Sequence, residues 1–334
     1  MQAFRTMNQS LGTSERSDSA SCTRPTPTLI HPAYNEAATL CETIGDKEFP
    51  CKICGASTQK RGSRRGKWKR DVFDVHRCPV CAYAFVSNPW TDYPEIYSEQ
   101  YYSGAGPDPL LDYVFELERP DETIRLHEWR GIRRAIASLV PLQPSTTWLD
   151  FGCGNGGLVR HCMDACKIVG FDEGWIRKKS AEFGVPTVDK AELDESAGTF
   201  DIVTAIEVLE HLEDPVQSLR SIRKLLKPGG LFFYTTGNAR PHVKRLPHWS
   251  YVVPEVHISF FEPETLRRAL AESGFRPEFR GYLPGYTDII RFKILKNLRI
   301  FKRAAWHNGV PWELLARIAD FRFQVTAHPI GWAE

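Results

Sequence analysis

One stretch constrains this chain more than any other: Trp148-Leu149-Asp150-Phe151-Gly152-Cys153-Gly154-Asn155-Gly156-Gly157. An apolar run ends at an acidic residue and breaks into closely spaced glycines. Leu158-Val159-Arg160 then takes up a helix-compatible pattern. A strand, a tight turn and a helix N-terminus in that order bring backbone N–H groups close to a nucleotide-like ligand. Many unrelated proteins share such a turn, so its meaning depends on the residues downstream of it.

Those downstream residues form a series of short apolar strands. Lys167-Ile168-Val169-Gly170-Phe171-Asp172 reads as a second strand ending in a carboxylate. Asp172, with Glu173 as its alternative, falls where an acidic side chain takes two ribose hydroxyls. A third short strand, Val185 to Val188, ends at Asp189. Phe200 to Ile206 is a continuous apolar strand of the buried parallel type. Glu207-Val208-Leu209-Glu210-His211-Leu212 leaves it, and Val216 to Leu226 forms an amphipathic helix stopped by Lys227-Pro228-Gly229-Gly230. Leu231 to Thr235 is a fifth strand. Strands alternating with helices predict an α/β fold, a doubly wound sheet with helices on both faces.

Upstream, Cys51-Lys52-Ile53-Cys54 and Cys78-Pro79-Val80-Cys81 each place two thiols at a turn. Two such turns supply four sulfurs in a tetrahedron, the closed arrangement of a structural zinc site. The gap between the pairs is slightly longer than the commonest ribbon spacing, and the alternation of Phe73, Val75 and Arg77 into Cys78 fits a zinc ribbon built on hairpins. The chain has nine cysteines, an odd count, and no apolar segment near its start that reads as a secretory signal. Both points argue against a disulfide framework and for a cytoplasmic setting. Between the pairs lie Lys60, Arg61, Arg64, Arg65, Lys67, Lys69 and Arg70, with Trp68 among them. Such a loop is either a solvated hairpin tip or a track for a phosphate backbone.

The remaining composition is that of a globular chain, with 42% hydrophobic and 25% charged residues and a formal net charge of +2. That balance carries no whole-chain message about nucleic acid or membrane. No apolar run approaches the roughly 18 residues of a membrane span. Residues 1–46 read as a disordered tail. Within it, Thr28 to Leu40 resembles the opening strand and turn of family-2 glycosyltransferases, but the rest of such a domain is missing. Trp90 to Pro109 is rich in tyrosines (93, 97, 101, 102), which are expected in the core or at an interface. A helical stretch is expected from Leu110 to Val140. Residues 288–306 mix apolar and basic side chains, which suits either an anionic membrane surface or a helical cap.

Taken together, Leu149 to Gly156, Phe200 to Val203 with Glu207 to Leu212, and Leu225 to Gly230 resemble the class I S-adenosylmethionine-dependent methyltransferases. His257-Ile258-Ser259-Phe260-Phe261-Glu262-Pro263-Glu264-Thr265-Leu266, running to Gly274-Phe275, resembles the late segment of a broad bacterial subfamily. That subfamily often carries an N-terminal module of two Cys-x-x-Cys pairs and a Tyr-rich bridge. The resemblance implies a Rossmann-like doubly wound seven-stranded sheet, with an N-terminal zinc ribbon and a C-terminal helical extension. The segments divide as a tail (1–46), the zinc-ribbon module (47–89), a Tyr-rich bridge and helical cap (90–143), the methyltransferase core (144–284) and the extension (285–334).

The resemblance further implies S-adenosyl-L-methionine as cofactor, held by Asp150, Gly152, Gly154, Gly156, Asp172, Asp189 and Glu207. It also implies structural Zn2+ on Cys51, Cys54, Cys78 and Cys81. His211 and His257 are the candidate bases, since an imidazole titrates near neutrality. The expected acceptor is an oxygen or carbon of a small or medium metabolite, with sugars and glycan precursors first by analogy within the subfamily. Two alternatives stay open: an RNA methyltransferase using the ribbon and basic loop, and a non-catalytic binding protein. The segment Glu207-Val208-Leu209-Glu210 stands where base-amino methyltransferases carry an Asn/Asp-Pro-Pro-aromatic motif, which weighs against nucleic acid.

Overall fold

The computed structural model describes residues 49–106, 112–278, 283–323 and 330–333. The tail 1–46 and the segment 28–40 lie outside the described residues. The strands are β1 (Gln59–Arg65), β2 (Val72–Arg77), β3 (Ala84–Val86), β4 (Thr147–Phe151), β5 (Lys167–Phe171), β6 (Thr187–Val188), β7 (Phe200–Ile206), β8 (Leu226–Thr235), β9 (Ser259–Phe260), β10 (Phe275–Glu278) and β11 (Ile330–Ala333).

Seven of these strands form one sheet in the order β10-β11-β8-β7-β4-β5-β6. Strands β6, β5, β4, β7 and β8 run parallel, and β11 is antiparallel to both β8 and β10. The alternation of side chains explains why helices cover both faces. Leu149, Val203 and Phe232 join one core with Leu219, Ile222, Leu266 and Leu270 from the helices Pro215–Leu225 and Pro263–Glu272. Their neighbours Trp148, Ile202 and Phe233 join the opposite core with Trp129, Ile132 and Ile136 from the helix Arg125–Ala137. A strand buried on both faces must be apolar at every position, as Phe200 to Ile206 nearly is.

Three expectations are adjusted. The helical stretch from Leu110 to Val140 is two helices, Tyr113–Glu118 and Arg125–Ala137, because Arg119-Pro120 interrupts the first. The third strand is only Thr187–Val188. The region from 285 onward is helical at Tyr286–Asn297 and Trp312–Phe323, but Ile330–Ala333 then returns to the main sheet between β8 and β10. Four residues are too short a run to signal a strand by pattern. This one is held by its neighbours on both sides.

The cysteine module is joined to the core. Its antiparallel sheet has the order β1-β2-β3-β9, and β9 comes from the late segment, with Ala84 opposite Phe260. The Tyr83 hydroxyl donates to Ser259 Oγ at 2.6 Å, and Ser259 Oγ donates to the Leu212 carbonyl at 2.5 Å. Cys51, Cys78, Cys81, Tyr83 and Phe85 belong to the same apolar core as Leu149 and Phe232.

No helix among the described residues is long and apolar enough to cross a membrane. In the helix Tyr286–Asn297, the apolar side chains Ile289, Ile290, Phe292 and Leu295 are at most 4% exposed. The stretch 288–306 thus spends the apolar side chains of this helix inside the protein, as a helical cap does.

Candidate functional site

A cleft opens where the chain leaves β4, β5 and β7. Gly152, Gly154, Asp172, Glu207 and His211 line it, together with Tyr97, Tyr101, Tyr102 and Tyr113 of the bridge. One wall is the glycine turn. Gly152 and Gly154 sit at φ +75° and +54°, in the left-handed region where a Cβ is strained. A Cβ on Gly152 would also lie 2.5 Å from Val208 Cγ2, and one on Gly154 3.0 Å from Tyr113 Cε1. Larger residues would therefore fill the cleft's own wall. The Gly154 N–H donates to Asp172 Oδ2 at 2.8 Å, and the Tyr102 hydroxyl donates to Asp172 Oδ1 at 3.3 Å. Burial pushes the Asp172 carboxyl up to about 6.

Behind the turn stands a buried charge network. Asn155 takes the Gly157 N–H at 3.0 Å and donates to Glu116 Oε2 at 3.0 Å. Glu116 in turn accepts from Arg125 Nε at 2.7 Å, and Arg125 also donates to Glu128 at 2.9 Å. Arg125 is sandwiched between the rings of Tyr113 and Phe292, at 5.3 and 4.8 Å. The guanidinium is thus held by carboxylates from two helices and fixes the rear of the turn, although Glu128 Oε1 is left without a hydrogen-bond partner.

Of the seven positions expected to hold a cofactor, Gly152, Gly154, Asp172 and Glu207 line the cleft and three do not. Asp150 lies beneath it, 4% exposed, accepting from Thr204 Oγ1 at 2.7 Å, and burial raises its carboxyl to about 7. Gly156 packs toward Val185, where a Cβ would stand 2.4 Å from a methyl carbon. Asp189 caps the helix Lys190–Asp194, accepting from the Glu192 N–H at 3.0 Å while the Glu192 carboxylate accepts from the Asp189 N–H at 2.7 Å. A capping box absorbs that carboxylate locally.

The opposite wall is built from distant segments. Glu207 is a non-glycine residue held at φ +54°, a strained conformation of the kind that clusters at functional sites. Its carboxylate accepts from Lys293 Nζ and Thr235 Oγ1, both at 2.9 Å, and from the Tyr251 hydroxyl at 3.0 Å. Burial opposes its charge, but the Lys293 ammonium outweighs burial and holds the group well below the usual carboxylate range. Glu210 shares the Tyr251 hydroxyl and accepts from Thr236 Oγ1 at 2.7 Å. Burial, reinforced by the Glu207 charge, lifts it to about 8.

His211 and His257, the two candidate bases, meet here with ring centroids 4.9 Å apart. Nδ1 of His211 is 3.0 Å from the Tyr97 hydroxyl, and His257 Nδ1 donates to the Tyr251 carbonyl at 2.6 Å. Burial, followed by the proximity of His257, holds His211 neutral. Tyr97, Tyr251 and Lys293 were not anticipated as site residues. The tyrosine-rich composition was the only signal for the first, and nothing in the local sequence of the other two points to this cleft.

The four cysteines of the N-terminal module also converge. Cys51 and Cys81 sulfurs are 3.4 Å apart, Cys54 and Cys78 sulfurs 3.5 Å, and all four lie within 4.8 Å of one another. Backbone N–H groups of Val80 and Cys81 point at Cys78 Sγ, both at 3.4 Å. The hydrogen bond from Cys81 draws the Cys51 thiol down to about 5. Several cations of the basic loop are engaged within the protein. Lys60 pairs with Asp74 at 2.8 Å, Lys69 with Glu95 at 3.1 Å, and Arg64 donates to the carbonyls of Pro247 and Trp249.

Residues 123–278 match the profile of a family described as a methyltransferase domain. Over that stretch the chain is similar to known methyltransferases. It is 37% identical over 147 residues to a ubiquinone biosynthesis O-methyltransferase of Caulobacter vibrioides, covering 37% of this chain and 57% of that one. The enzyme of the same name from Paracidovorax citrulli is 35% identical over 127 residues, covering 34% and 52%. The chain thus spans about half the length of the curated relatives it matches. Among solved structures, the methyltransferase neighbours include phospholethanolamine N-methyltransferase 2 of Haemonchus contortus, solved with phosphomonomethylethanolamine and S-adenosylhomocysteine. It is 15% identical, with a TM-score of 0.43, covering 73% of this chain and 59% of that one.

Proposed function

We propose that this protein transfers the methyl group of S-adenosyl-L-methionine to an oxygen of a small or medium metabolite. The observation that carries the reading is the cleft itself, which sets Gly152, Gly154 and Asp172 on one wall against Glu207 and His211 on the other. The residues fit the cofactor: two glycines keep the wall free of side chains, and Asp172 retains lone pairs for ribose hydroxyls beyond its bonds to Gly154 and Tyr102. The bound cofactor supplies a methyl carbon made electrophilic by its sulfonium.

The chain's own contribution is chiefly positioning, which supplies roughly 7–11 kcal/mol of barrier reduction when a bimolecular step becomes unimolecular. His211 or His257 takes the acceptor's hydroxyl proton as the oxygen lone pair bonds the methyl carbon. The electrons of the breaking carbon–sulfur bond stay on sulfur, which becomes a neutral thioether. Because His211 is held neutral, its imidazole is in the proton-accepting form at physiological pH. The names of the relatives support oxygen over carbon as the methylated atom. Hydroxylated aromatics and sugars are both acceptor classes to screen.

Within the same reading, Cys51, Cys54, Cys78 and Cys81 hold a structural zinc ion. Four sulfurs spaced at 3.4–3.5 Å in their closest pairs suit Zn–S bonds of ~2.3 Å. The experiment has two readouts. Calorimetric titration is expected to show binding of S-adenosylmethionine and of its demethylated product. Elemental analysis is expected to give one zinc per chain, lost in Cys81→Ser. Absence of cofactor binding by the folded chain would overturn the methyl-transfer assignment.

A further inference from the structure

Glu210, His211 and His257 each bring one ligand atom to a common point, and these atoms all lie within 4.8 Å of one another. They come from separate places. Glu210 and His211 sit on the short turn Leu209–His211 after β7, and His257 precedes β9. We infer that these three residues hold a divalent transition-metal cation on which the acceptor's oxygen docks. The inference rests on the reading of this cleft as a methyl-transfer site.

Three further observations support it. The first is orientation. A metal-binding imidazole typically donates its other ring N–H to a carbonyl or carboxylate. His257 Nδ1 donates to the Tyr251 carbonyl at 2.6 Å, and His211 Nδ1 is engaged by the Tyr97 hydroxyl at 3.0 Å. The carboxylate is fixed in the same way: the Tyr251 and Thr236 hydroxyls occupy one lone pair on each oxygen of Glu210 and leave the others for an ion.

The second is charge. Glu207 and Glu210 face the same Tyr251 hydroxyl, which has only one proton to give. Lys293 balances Glu207 but makes no ion pair with Glu210. Glu210 is 1% exposed. Burial of this kind favours a proton on the carboxyl, and a cation beside Glu210 would take that proton's place.

The third is ligand type. Two imidazoles and one carboxylate suit Mn2+, Fe2+, Co2+ or Zn2+, whereas Mg2+ and Ca2+ favour all-oxygen sets and the four thiols form a distinct, softer site. Three protein ligands leave coordination positions open, as in catalytic metal sites. With His211 and His257 serving as ligands in place of the base role, a hydroxyl docked on the cation would be acidified and would release its proton to water. Its lone pair then forms the bond to the methyl carbon, with the carbon–sulfur electrons leaving on sulfur as before.

The test uses the full chain with zinc already on the cysteine site. Mn2+ is titrated and followed by electron paramagnetic resonance, and Co2+ by its visible spectrum, where nitrogen and oxygen ligands lack the intense thiolate bands. One ion per chain beyond the cysteine site is expected, bound at least ~10-fold more weakly by His257→Ala and by Glu210→Gln. Zinc content and circular dichroism of both variants report whether they fold. Retention of tight binding in both folded variants would overturn the site. So would failure of Mn2+, Co2+ and added Zn2+ to bind the parent protein, and so would methyl transfer undiminished after exhaustive chelation. Gly154→Arg separates the two readings: it is expected to lose S-adenosylmethionine and keep Mn2+. Methyl transfer by a parent protein that binds no second metal would sink the metal and leave the methyltransferase standing.

Discussion

The two walls of the cleft are built in opposite ways. The glycine wall comes from one continuous stretch, β4 and its turn, plus the carboxylate at the end of the next strand. Its geometry is dictated by backbone conformation, and its residues are legible one after another. The facing wall takes Glu207, Glu210 and His211 from one turn, Tyr251 and His257 from a connection beyond β8, Lys293 from a C-terminal helix and Tyr97 from the bridge. Nothing but tertiary structure brings them together. The wall we assign to the methyl donor is local. The wall we assign to the acceptor is assembled from distant segments.

The sharpest way to break that division is at the donor wall. Gly154→Arg puts a side chain at φ +54° with its Cβ 3.0 Å from the Tyr113 ring. Cofactor affinity is expected to fall by more than ~100-fold, beyond the few kcal/mol that strain of this kind costs, because the side chain also occupies the cleft. Calorimetric titration measures it. Near-parental affinity would mean that the donor lies elsewhere. Zinc content should not change, since none of the four cysteines lines the cleft.

The facing wall is next. Lys293→Met leaves the Glu207 carboxylate, 27% exposed, without its ammonium and beside Glu210. Breaking a fully buried pair costs about 3–5 kcal/mol, and solvent at this one reduces that to about 2–3 kcal/mol. Denaturant unfolding reads the loss. The double variant with Glu207→Gln should recover most of it, which a mere packing defect would not. A Lys293→Met protein as stable as its parent would show that the C-terminal helix does not complete the site.

How far the sequence revealed this molecule runs along the same line. The order of β4 to β8, the helices on both faces and the pairing of the cysteines were readable because each rests on a run of residues in a row. Gly152, Gly154 and Asp172 were readable for the same reason. Asp150, Gly156 and Asp189 fit the same pattern but do not line the cleft, and engage Thr204, Val185 and a capping box respectively. Pattern marks a position and cannot say which way the side chain is engaged. Lys293 and Tyr251 lie far along the chain from Glu207, so no spacing rule joins them. Strand β11 escaped notice because four residues carry no periodicity.

Asp150 offers a test of that misfit between position and role. Its carboxyl stands near 7 in the folded protein, against ~3.9 in an unfolded chain. The folded state therefore binds more protons between roughly pH 4 and 7, and stability must fall as pH rises through that window. Asp172, near 6, adds to the same fall. Asp150→Asn keeps an oxygen to accept from Thr204 and removes the charge. Without cofactor, it is expected to match the parent at or below about pH 4 and to exceed its thermal midpoint at pH 8. Each kcal/mol gained is worth roughly 2–4 °C in a domain of this size. Equal midpoints at both pH values would mean that Asp150 reaches solvent or a cationic ligand.

Tyr97 is the smallest effect and the finest probe of the facing wall. Its hydroxyl lies 3.0 Å from His211 Nδ1, and the bridge that carries it is otherwise packed by aromatic contacts such as the one with Tyr101, 5.1 Å away. Tyr97→Phe keeps those contacts and deletes one hydrogen bond. Such a bond contributes about 0.5–1.5 kcal/mol, so kcat should drop roughly 2- to 10-fold. If Tyr97 serves only to orient His211, cofactor affinity stays at the parental level and the pH profile of kcat shifts, because the imidazole has lost a partner to one of its protonation states. A loss confined to cofactor affinity would instead place Tyr97 on the donor wall and redraw the boundary between the two.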